Sequence, residues 1–116
     1  MNIDIGELMD SMKEAAKTII SADLTSVRGF AERQLKSIAK QSALVASGIA
    51  SGEIEEDEKD FFLDTIENMI RNFANTLRGL IAVTIEKLWN ALVGVVWKAI
   101  SSATGVVLFV VPASLI

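Results

Sequence analysis

The chain has 116 residues, room for one domain and not comfortably for two. Its net charge of −4 argues against nucleic acid, whose binders are usually basic. It has no Cys, His or Tyr, which excludes disulfides and thiolate metal sites and removes the commonest general base and metal ligand. Apolar residues make up 51% and mean hydropathy is +0.42, more than a chain of this size readily buries alone. The first residues, MNIDIGELMD, carry acid where a secretory signal would carry base, so synthesis in the cytoplasm is expected, with any membrane contact at the far end.

Pro occurs once, at Pro112, and Ala, Leu, Ile, Lys and Glu dominate, so an all-α fold is predicted. The first helix is predicted from about Ile3 to Ala22. Ile5, Leu8, Met9, Met12, Ala16, Ile19 and Ile20 recur at steps that draw one stripe along it. Asp23 is placed to cap the next helix.

That second helix is predicted from about Leu24 to Ala50. Leu24, Val27, Ala31, Leu35, Ile38, Ser42, Val45 and Ile49 alternate by threes and fours, the seam of a bundle or coiled coil. Arg28, Arg33, Lys36 and Lys40 make its outer face basic. Gly52 is its expected C-cap. The acid-rich stretch from Glu53 to Glu67 lacks the spacing and central glycine of a calcium loop. It reads as a helix start that favours the dipole and faces the basic second helix across an antiparallel hairpin, with the turn near 51–54.

The third helix is predicted to run without a break from about Glu55 to Ser102. Phe62, Ile66, Ile70, Phe73, Leu77, Leu80, Leu88, Leu92 and Val95 form one apolar stripe, and isolated Gly79 and Gly94 cost only about 1 kcal/mol each. Such a helix would be about 70 Å long, against about 40 Å for the second. The overhang needs cover from the first helix, from other copies or from lipid. Trp89, Trp97 and Lys98 have the look of interfacial anchors, and large-residue packing accounts equally well for the two Trp residues.

Residues 99–116 carry no charge, and Val106–Val111 is a run of six large apolar residues between Gly105 and Pro112. Left in water, such a run is an aggregation hazard, so a protein or lipid partner is expected to receive it. Two domains follow: a helical hairpin over 1–104 and an apolar tail over 105–116. The expected interface, with another copy or with membrane, comprises Leu77, Leu80, Leu88, Trp89, Leu92, Val95, Trp97, Val107, Leu108, Phe109 and Val110.

No P-loop, dinucleotide fingerprint or nucleophile elbow occurs, so no enzymatic activity, cofactor, metal or small-molecule substrate is expected. In general make-up the chain resembles small phage-encoded or prophage-encoded proteins, with a charged helical front and an apolar end. That resemblance implies a virion or other large-particle component. The expected function is a structural protein that self-associates as a homo-oligomer through its long third helix and inserts its C-terminus into a partner subunit or membrane. The alternative is a small membrane-active protein, a tail anchor or holin-like pore former, that places residues 91–116 in the bilayer. A holin-like chain would end in charge, and this one ends in Ser-Leu-Ile.

Overall fold

The computed structural model describes residues 3–106. Among these residues there are four α-helices and no strand: α1 (Ile5–Ile20), α2 (Glu32–Ser51), α3 (Lys59–Thr76) and α4 (Ala82–Thr104), with a 3-10 turn at Leu24–Ser26 after α1. The Asp4 carboxylate starts α1 by accepting from the Glu7 N–H at 3.0 Å. Asp23 caps the 3-10 turn rather than α2, accepting from the Thr25 N–H and hydroxyl. Those two bonds hold its carboxyl below the ordinary value.

The all-α class is as predicted, and the long third helix is not. The backbone leaves the helix at Leu77, passes through Gly79 at φ +90° and restarts at Ala82, which makes α4 the longest helix at 23 residues. The second predicted helix is shortened in the same way. Its backbone is extended at Val27, takes φ +87° at Gly29 and becomes helical at Glu32.

The two breaks are the same event in two places. Ser26-Val27-Arg28-Gly29 and Thr76-Leu77-Arg78-Gly79 lie fifty residues apart, and each precedes a helix that begins three residues after its glycine. The two turns pair through an isolated antiparallel bridge between Arg28 and Arg78. At that offset the buried faces of α2 and α4 also coincide: Ile38 with Leu88, Ala39 with Trp89, Ser42 with Leu92, Ala46 with Val96. The two Arg-Gly turns and the helices that follow them therefore repeat, and the turns meet at equivalent residues; α1 and α3 do not share that register, since α1 ends at Ile20, well before Ser26, and α3 runs up to Thr76 itself.

Splitting the third helix removes the overhang. α4 packs on α1, α2 and α3, and its inner face is enclosed by them. Leu88, Leu92, Val96 and Ile100 are fully buried in a core that includes Met12, Ala16, Leu35, Ile38, Ile66, Ile70 and Phe73. Ser42 is the polar residue in that core, and its hydroxyl donates to the Ile38 carbonyl at 2.7 Å.

Candidate functional site

The feature with the form of a binding site lies where α1 begins and α4 ends. The Asp4 cap fixes the first turn of α1. At the other end Gly105, at φ +79°, closes α4 by donating to the Ser101 carbonyl at 2.8 Å. Between them is an open groove of about 430 Å³. Ile3 and Leu8 form one wall, and Val95, Ala99 and Ala103 form the other. Asp4, Glu7 and Lys98 stand at its rim with Ser11 and Ser102. The small side chains of α4 keep the groove open, and the charged rim gives it an edge in water. Chemically it suits a short aliphatic segment better than a reacting substrate, because no nucleophile–base pair lines it.

A shallower groove of about 350 Å³ lies on the other side of Ile3, between α1 and α2, beside Ile5, Lys40 and Leu44. Leu44 is 68% exposed there. Among the described residues, Phe61, Ile81 and Val83 are the other large apolar side chains left mainly in water.

The predicted interface residues fall into three groups. Leu77, Leu88, Trp89, Leu92 and Trp97 are buried inside the single chain. Leu80 and Val95 are half-buried against the same core, and Val95 also lines the α1–α4 groove. Val107, Leu108, Phe109 and Val110 lie outside the described residues. Trp89 is a packing residue of the core: its indole N–H donates to the Glu67 carbonyl at 3.2 Å and the Arg71 guanidinium lies 4.7 Å from its ring centre. Partial burial and the nearby Asp64 push the Glu67 carboxyl above its ordinary value, against the pull of Arg71. Trp97 is 4% exposed. Residues 91–104, proposed for the bilayer in the membrane reading, belong to α4, and among the described residues no helix is long and apolar enough to cross a membrane.

The acid-rich stretch resolves into local helix-start chemistry. Glu55, Asp57 and Glu58 bring carboxylate oxygens within 4.8 Å of one another, all exposed. Glu58 accepts from the Glu55 N–H at 3.0 Å, and Lys59 pairs with Glu56 at 2.9 Å, so the cluster organises the entry to α3. Among the described residues the other ion pair joins Lys13 of α1 to Glu32 of α2 at 3.2 Å. Neither pair links these acids to the basic face of α2, as the hairpin expectation required.

The groove was not foreseen. It depends on α1 lying along α4, a pairing of the two ends of the chain. The sequence offered the first helix as one of three covers for that stretch, beside other copies and lipid, and periodicity could not choose among them. At an offset of fifty residues Arg28-Gly29 falls on Arg78-Gly79, which is the trace of the paired turns visible in the sequence. Compared with known proteins, the chain matches no family model, no curated protein and no solved structure.

Proposed function

We propose that this chain is a non-enzymatic helical assembly protein that joins copies of itself by inserting its apolar C-terminal segment, from Val106 onward, into a partner subunit. One observation carries the reading. The inner face of α4 is buried by α1, α2 and α3 alone, with Leu88, Leu92, Val96 and Ile100 inaccessible. The core therefore has no need of the six apolar residues 106–111 that follow the cap of α4. Burying each large aliphatic side chain is worth about 1.5–3 kcal/mol, enough over several residues to offset the cost of association. This replaces self-association through α4, whose stripe is occupied within the chain. A structural particle such as a virion is the setting that such a joint suits.

The test is sedimentation of the full chain beside a chain ending at Val106, without lipid or detergent. The full chain is expected to be oligomeric and the shortened chain monomeric with unchanged helix content. A full chain that stays monomeric at high concentration would remove the proposal.

A further inference from the structure

The internal repeat shows what the α1–α4 groove is missing. By element order about the paired turns, the α1–α4 seam corresponds to the α3–α2 seam. In the α3–α2 seam the chain covers its own helix end. It leaves α2 through Gly52, and the Ile54 N–H donates to the Gly48 carbonyl at 2.9 Å, which lays the Ile54 side chain over Gly48. The contact is close enough that a Cβ on Gly48 would meet Ile54 at 2.7 Å. In the α1–α4 seam no connection joins the two helices, and among the described residues nothing covers the groove. The chain leaves α4 there through Gly105 and runs into Val106–Val111. One seam thus carries an aliphatic cover, and its counterpart is a groove that no described residue covers, with an aliphatic segment following it in the chain.

Near its end α4 lacks a glycine seat like the one on which Ile54 folds back within one chain. Lys98 stands fifty residues after Gly48. Ser101, the residue at the same distance from its cap as Gly48 from Gly52, has a side chain, and its carbonyl already accepts from the Gly105 N–H. We propose that the α1–α4 groove of one copy receives the segment 107–111 of a second copy, as the interchain counterpart of Ile54 on Gly48. This rests on the assembly reading above and names the receiving surface. Donor and acceptor are different patches, so copies either exchange segments reciprocally in a closed dimer or pass them head-to-tail around a ring or filament.

The absence of Cys makes a direct test possible. Ser102→Cys, at the rim of the groove, is mixed with Leu108→Cys under mild oxidation. A disulfide-linked heterodimer is expected from the mixture, absent from either variant alone, and lost when the Ser102→Cys copy also carries Ala99→Trp. Ala103→Arg serves as a second block if circular dichroism shows that Ala99→Trp disturbs the fold. A double variant Ser102→Cys/Leu108→Cys that yields only an internal disulfide would assign the groove to the chain's own tail and overturn the proposal. Flotation with phosphatidylcholine vesicles in place of cross-linking would assign the tail to lipid and overturn it too. Wild-type chain that sediments as an oligomer without cross-linking defeats the groove alone, whereas wild-type chain that stays monomeric defeats the assembly reading itself.

Discussion

The backbone N–H of Arg78 donates to the carbonyl of Arg28 at 2.7 Å, and the two arginines occupy the same position in two halves of one repeat. Both are followed by a glycine at positive φ, yet the glycines are not equivalent in their surroundings. A Cβ at Gly29 would run into the carbonyl of Thr76, whereas nothing lies within 4 Å of one at Gly79. Gly29→Ala is expected to destabilise by about 3 kcal/mol or more, because the turns would have to separate. Gly79→Ala should cost about 1 kcal/mol, the penalty of a left-handed backbone alone. Urea denaturation of the two variants measures the difference, and equal costs would contradict the crossing of the turns.

Leu88→Ala and Ile81→Ser separate the core of α4 from its surface. Leu88 is fully buried, and its truncation should cost about 2–5 kcal/mol by loss of transfer energy and a residual cavity. Ile81 is 70% exposed and is the N-cap of α4 without a side-chain cap bond, so its replacement by Ser should be neutral or stabilise by up to about 2 kcal/mol. Thermal melts at a concentration that keeps the chain monomeric would show it. The reverse order would return α4 to an interface role.

Glu67 gives the fold a pH signature. Its carboxyl is raised by partial burial and by Asp64, so the folded state holds its proton more tightly than the unfolded state. The sign follows: stability falls as pH rises from the ordinary value of 4.5 through the raised folded value. Glu67→Gln removes the charged form and should stabilise the protein near neutral pH, with the advantage fading in acid. The Trp89 bond should survive, because it is made to the main-chain carbonyl. Melting temperatures across that range test this, and a Gln variant that melts lower at neutral pH would reject it.

Asp23 has the opposite sign. Its carboxyl is held low by the Thr25 N–H and hydroxyl, so its contribution is present above the ordinary value of 3.8 and lost as pH falls through the folded value. Asp23→Ala should loosen the 3-10 turn at Leu24–Ser26 at neutral pH and make no difference in strong acid. Hydrogen exchange at Thr25 and Ser26 reads this locally.

Val107→Asp tests the joint without shortening the chain. A carboxylate carried into the α1–α4 groove would meet an apolar wall, with Asp4 and Glu7 opposing the single cation Lys98 at the rim. The variant is expected to keep its helix content and lose self-association. Sedimentation equal to that of the unaltered chain would place the segment elsewhere.

The helical class was legible in composition, and much of the core was legible in periodicity. Leu8, Met9, Met12 and Ala16 on α1, Leu35, Ile38, Ser42 and Val45 on α2, and Ile66, Ile70 and Phe73 on α3 are buried as their spacing predicts. The end of α2 at Gly52 was legible too, since glycine takes the left-handed cap without penalty. Gly29 and Gly79 were not recognisable as breaks, because an isolated glycine costs a helix only about 1 kcal/mol and local pattern cannot say when that matters. It matters here because the two turns bond to each other across fifty residues and Gly29 lets the backbones touch, which is a non-local contact. The apolar stripe of α4 was visible in the sequence, but core and interface demand the same residues, and only the placement of α1, α2 and α3 around it decided for the core. The same placement left α1 and α4 without a connecting turn, and so decided where the groove would be.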